Sequence, residues 1–142
     1  MAEAALAGSG FPVSVLAAAV LAAENVSFVL VGSAALWLRN EQVSVGDADV
    51  VIEPGETNVR RLHEALAALA IRPQTVPAVH RLRDLSVATA VTCYGRVDCL
   101  LERGRCDWDQ LCRGAGFVDV ADVAVLVAGA DDAWALRRRF KK

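Results

Sequence analysis

The sequence predicts an α/β fold, a small mixed sheet with helices packed on one face, as a single domain over residues 1–142. Segments whose apolar residues recur three and four apart alternate with short runs rich in valine and threonine, the periods of helix and strand. Phe28-Val29-Leu30-Val31 is apolar at every position, as a strand buried on both faces would be. A chain of 142 residues with 55% hydrophobic composition is the size of one domain and can bury a real core.

The elements follow in order. Phe11-Pro12 opens a segment with Val13, Leu16, Ala17, Val20 and Leu21 at helical spacing, and Glu24-Asn25 ends it. A strand over 28–31 stops at Gly32-Ser33. The next stretch, Ala34-Ala35-Leu36-Trp37-Leu38-Arg39, consists of strong helix formers with Ser33 at their amino end. Residues 40–46 are polar and lead into a strand over 47–52 that Pro54-Gly55 terminates. Val59, Leu62, Leu66 and Leu69 make one apolar stripe on a helix over about 57–70. Pro73 and Pro77 then predict an irregular connection over 72–84 that carries His80, Arg81 and Arg83.

Two runs, 86–94 and 97–102, read as a hairpin turning at Gly95-Arg96, which sets Asp98 opposite Cys93. Residues 117–127 form one apolar strand or a pair of short ones. A last helix begins at Asp131-Asp132 and ends in a basic run over 137–142, a charge order that suits the helix dipole. There is no internal repeat.

A formal net charge of -2 lacks the basic footprint of general nucleic-acid binding. Cys93, Cys99, Cys106 and Cys112 are separated by five or six residues, so no Cys-x-x-Cys pair starts a zinc or redox site, and free thiols are expected. Met1-Ala2-Glu3-Ala4 lacks a positive n-region. The apolar stretch 11–23 is short of the roughly 20 residues that span a bilayer. A soluble, cytoplasmic protein with no membrane association is expected.

The chemistry concentrates in Val45-Gly46-Asp47-Ala48-Asp49-Val50-Val51. Two carboxylates at i and i+2 on a strand face the same way, and like charges side by side call for a cation. Magnesium, held by one or two carboxylates plus substrate phosphates, fits. Asp98 on another strand is a third carboxylate for the same metal site. Gly32-Ser33 at the mouth of a helix offers amides and a hydroxyl to phosphate. Such parts suit in-line displacement at phosphorus by two metal ions.

These residues, Val31-Gly32-Ser33 with its helix, Gly46-Asp47-Ala48-Asp49-Val50-Val51 and Val97-Asp98-Cys99-Leu100, resemble the nucleotidyltransferase superfamily built on the DNA polymerase β catalytic core. The likeness is to its small bacterial minimal and toxin-associated members. It implies a nucleotidyltransferase-like mixed sheet, with Gly32 and Ser33 binding the nucleotide and Ser33 holding its triphosphate. It also implies Asp47, Asp49 and Asp98 as catalytic ligands of two Mg2+ ions, with AMP passing from ATP to a hydroxyl on a small molecule such as an antibiotic, a protein or an RNA end. Where many members carry an arginine and a threonine before the aspartates, this chain has Gln42 and Ser44, and Arg39 is the candidate for the missing charge. The carboxyl-terminal helical part is reduced, which implies a protein partner or a homodimer. The alternative is a degenerate binding module acting as a regulatory or antitoxin-like partner. A cysteine hydrolase is set aside, since neither Cys93 nor Cys99 opens a helix.

Overall fold

The computed structural model describes residues 10–101 and 107–140. Met1, Glu102, Cys106, Lys141 and Lys142, on which some of the readings above fell, lie outside them. The elements are α1 (Val13–Ala23), β1 (Phe28–Val31), α2 (Gly32–Leu38), β2 (Ala48–Ile52), α3 (Glu56–Leu69), a 3-10 turn (Pro73–Thr75), α4 (Val79–Leu82), β3 (Val87–Thr92), β4 (Gly95–Leu100), α5 (Trp108–Gly114), β5 (Gly116–Val120), β6 (Val123–Val127) and α6 (Ala130–Phe140).

The six strands form one mixed sheet in the order β3-β4-β2-β1-β6-β5. β1 runs antiparallel to β2 and parallel to β6, while β2 runs parallel to β4. Parallel neighbours need crossover connections. Here the crossover from β2 to β4 carries α3, the 3-10 turn, α4 and β3. All four residues of β1 are buried, as its unbroken apolar run requires. β3 instead alternates, with Ala88, Ala90 and Thr92 buried and Val87, Thr89 and Val91 exposed, so one face of that edge strand stays open.

Both early helices end on asparagine. Asn25 and Asn40 adopt φ of 63° and 65°, a left-handed conformation that asparagine tolerates better than most residues. The amides that follow reach back into the last turn, Val26 N to Leu21 O at 3.2 Å and Glu41 N to Leu36 O at 2.9 Å. On α3, Val59, Leu62 and Leu66 are buried as the stripe predicts. The connection over 72–84 is more regular than its prolines suggest. Pro73 opens the 3-10 turn, where its missing N–H costs nothing, and Pro77 lies just before Ala78, the residue that caps α4. Residues 117–127 resolve into the pair β5 and β6, turning at Ala121 and Asp122 with φ of 49° and 67°, a hairpin geometry matched to strand twist.

The β3–β4 hairpin differs from expectation by two residues. Its turn is Cys93-Tyr94, and Gly95 already pairs with Thr92. Gly95 has φ of +90°: the glycine supplies the left-handed residue just after the turn rather than the turn's centre. Thr92 fixes the corner, its hydroxyl donating to Gly95 O at 2.7 Å and accepting from Tyr94 N at 3.0 Å. Asp98 therefore lies opposite Thr89, not Cys93.

Asn58, on the first turn of α3 and only 6% exposed, holds the far end of the β1–β2 pair. Its Oδ1 accepts from Ser27 N at 2.7 Å, and its Nδ2 donates to Ser27 O at 2.8 Å and to Glu53 O at 2.9 Å. Removing the amide takes these bonds from Ser27 N and Glu53 O and leaves Ser27 O with only Glu53 N, so Asn58→Ala is expected to cost about 2 kcal/mol in urea denaturation. An unchanged midpoint would dismiss this role. No helix among the described residues is long and apolar enough to cross a membrane.

Candidate active site

The register of the sheet builds the site. Val31 pairs with Asp49, Asp49 with Asp98, and Asp98 with Thr89, so these side chains form one row across four strands on one face. Asp47 lies one residue before β2 and is exposed, whereas Asp49 is half-buried. The row sits beside the carboxyl end of β1, where Gly32 turns the chain into α2 with φ of +69°. A Cβ on Gly32 would strike Asp49 Oδ2 and lie 3.2 Å from that residue's Cβ. The absent side chain lets the helix start pack directly on the carboxylate.

Ser33 faces the same corner. Its Oγ accepts from Gly46 N at 3.0 Å, which ties the amino end of α2 to the segment delivering Asp47. That segment is held again at its other end, where Trp134 Nε1 of α6 donates to Glu41 Oε1 at 2.9 Å. Gly32, Ser33, Asp47, Asp49 and Asp98, read from the sequence as one site, are thus brought to one end of the sheet.

The electrostatics mark Asp49 as the strained member. Its carboxyl is pushed up to about 6, first by burial and then by the charges of Asp98 and Asp47, with a hydrogen bond to the Asp98 side chain adding to the effect. The Cys99 thiol next to Asp98 on β4 is buried and pushed up to about 12, which leaves it inert as a nucleophile. Cys112 is likewise raised by burial.

The cation that the paired aspartates call for is present as a side chain. Arg96 Nε donates to Asp98 Oδ1 at 3.1 Å and stands 3.6 Å from Asp47 Oδ2. Thr89 Oγ1 donates to the same Asp98 oxygen at 2.7 Å. Arg96 and Asp98 are two apart on β4, the spacing that places both on one face. The sequence carried this signal, but setting the turn at Gly95-Arg96 removed Arg96 from the strand. Among the described residues, no three histidine, cysteine, aspartate or glutamate side chains are gathered closely enough to hold a metal ion by themselves.

Arg39 does not supply charge to this site. Its Nε donates to Ala128 O at 3.1 Å and its Nη2 to Val127 O at 2.8 Å, so it satisfies the carbonyls at the end of β6. His63 Nδ1 lies 2.9 Å from Pro77 O and anchors the connection below α3.

A mixed sheet with carboxylates on adjacent parallel strands, next to a strand-Gly-Ser-helix corner, is similar to a nucleotidyltransferase fold. A solved structure bears out the architecture, that of "a putative nucleotidyltransferase" from Thermotoga maritima, with a TM-score of 0.60 and 16% identity over 87% of this chain and 80% of that one. At that identity the likeness concerns the fold. No protein-family model and no curated protein matches the chain.

Proposed function

We propose that this protein transfers a nucleoside monophosphate, with AMP from ATP as the first case to test, to a hydroxyl acceptor and releases pyrophosphate. The observation that carries the reading is the pairing of Asp49 with Asp98 on parallel strands, with Asp47 one step earlier and Gly32-Ser33 at the same end of the sheet. The donors are all carboxylate oxygens, the set a hard divalent ion prefers. Burial, and then the charges of Asp98 and Asp47, raise the Asp49 carboxyl, a penalty that a divalent cation relieves.

Asp47, Asp49 and Asp98, with triphosphate oxygens completing the set, would hold two Mg2+ ions. Bound there, the ions would stabilise the attacking and leaving oxygens of the displacement. Ser33 accepts from Gly46 through its oxygen and keeps its own proton to donate to a triphosphate oxygen. Thr89 Oγ1 donates to Asp98 Oδ1 and orients that carboxylate, which would help to take the acceptor's proton. Gly32 lets the first amides of α2 approach the same region without a side chain between them.

The test is transfer of label from α-labelled ATP to candidate acceptors: a small molecule such as an antibiotic, a protein, or an RNA end. Ser33→Ala is expected to raise the KM for the triphosphate about tenfold, the worth of one hydrogen bond to a charged group, with little loss of stability. An unchanged KM would remove Ser33 from nucleotide binding.

A second reading, a catalytically silent module of the regulatory or antitoxin-like type, draws support from Arg96. Its guanidinium already bridges Asp47 and Asp98, and Gln42 adds no charge. Val87 and Val91, 41% and 57% exposed on the open face of β3, flank Thr89 and favour a protein partner or a second copy beside the site. Calorimetry separates the readings: the enzyme takes up magnesium with ATP, and the silent module shows heat from neither.

A further inference from the structure

Arg96 is the charged group closest to the carboxylates, and neither the resemblance nor the fold assigns it a task. It follows the Cys93-Tyr94 turn on β4, and its side chain is 54% exposed, so it can swing into solvent without loss of packing. Its guanidinium faces Asp47, Asp49 and Asp98, and it is stabilised above all by the hydrogen bond to Asp98. Two of those three are the groups to which its Nε is drawn, at 3.1 and 3.6 Å. It stands where like charges converge, on the side open to solvent.

Resting on the nucleotidyl-transfer reading, we propose that Arg96 is a built-in counter-cation: it occupies the carboxylate site in the metal-free protein and must be displaced for a divalent ion to enter. A single positive charge offsets only part of three carboxylates. A guanidinium and a divalent ion cannot share Asp98 Oδ1 and Asp47 Oδ2 without like-charge repulsion. The two states therefore exclude one another, and the free energy of the Arg96 contacts is subtracted from that of metal binding. The latch is shallow by design of its exposure, since a half-exposed pair is worth little and yields readily. An incoming triphosphate carries anionic oxygens that match a guanidinium fork, so it draws Arg96 off the carboxylates while supplying further oxygens to the metal. Metal and nucleotide would then load together rather than one after the other.

Mn2+ alone, titrated by calorimetry into the full chain at physiological salt, tests the latch. Arg96→Gln is expected to bind Mn2+ about fivefold more tightly than the unaltered protein, the amount by which breaking a half-exposed ion pair penalises entry. Its metal-free form should melt a few degrees lower. Arg60→Gln, which removes a surface charge paired with Glu56 on α3, controls for net charge and should leave the affinity unchanged. Mn2+ heat in both proteins with equal or weaker affinity in Arg96→Gln overturns the latch and leaves the enzyme reading standing. No Mn2+ heat in either protein overturns the latch, and the enzyme reading falls with it when Mn2+ supplied together with ATP is not bound either.

Discussion

Asp49→Asn is expected to abolish label transfer from α-labelled ATP while making the metal-free protein more stable at neutral pH. The two effects have one cause. The Asp49 carboxyl is raised from its ordinary value of 3.8 to about 6 because it is half-buried and faces Asp98 and Asp47, so the folded chain holds that proton more tightly than the unfolded chain does. Between those two values the folded state binds more protons, and stability falls as pH rises. Below the lower value Asp49 is neutral in both states and the penalty vanishes. Above about 6 the folded chain carries the full cost of a crowded carboxylate, which asparagine avoids while keeping a hydrogen-bonding oxygen.

The expected signature is a stability difference between variant and parent that is absent near pH 4 and grows to a plateau above pH 6, on the order of 2 kcal/mol once solvent screening is allowed for. Urea denaturation in chelator at a series of pH values measures it. Transfer should drop by about a thousandfold or more, since an amide cannot replace a carboxylate as a ligand for metal that organises the reacting oxygens. Added Mn2+ should stabilise the parent above pH 6 and leave Asp49→Asn unmoved. A parent no less stable than Asp49→Asn at pH 7.5 would sink the electrostatic argument. Unimpaired transfer in the variant would sink the catalytic one.

What the sequence disclosed of this site was decided by range along the chain. Asp47 and Asp49 lie on one short segment, and Gly32-Ser33 sits at a strand-to-helix junction marked by composition on both sides, so their places in the fold could be read from local period and turn chemistry. The fully apolar β1 and the Val59, Leu62 and Leu66 stripe were legible for the same reason: burial repeats at the period of the element. The mixed α/β architecture followed from these.

What was hidden depended on a phase or on a distant partner. A shift of two residues in one turn left Asp98 on its face, because strand period is two, but exchanged its neighbour from Cys93 to Thr89 and brought Arg96 into the strand. Thr92 supplied the deciding interaction through its own side chain, and a threonine inside a valine-rich strand gives no sign of that. Arg39 reads as a candidate charge for the site and Asn58 carries no mark in the sequence, whereas the fold brings backbone groups to both, from β6 in one case and from residues 27 and 53 in the other. Pairings of this kind are set by topology, so single-chain periodicity carries no trace of them.

Gly32→Ala is expected to disable the site from the opposite side, by geometry rather than charge. Gly32 adopts φ of +69°, where an L-residue costs about 1–2 kcal/mol. The new methyl would also strike the Asp49 carboxylate, with the Cβ and Cγ of that residue both 3.2 Å away. Neither strand can withdraw easily, since Val31 and Asp49 are paired in the sheet, so the carboxylate must turn out of the row it shares with Asp98. The total loss is expected at about 3 kcal/mol in urea denaturation, with transfer falling about a hundredfold because misplaced ligands lose more than binding. A double-mutant cycle separates the two causes. In an Asp49→Gly background the collision is gone, and Gly32→Ala should then cost only the dihedral penalty; equal costs in both backgrounds would show that Gly32 is kept for its backbone alone and not for its contact with Asp49.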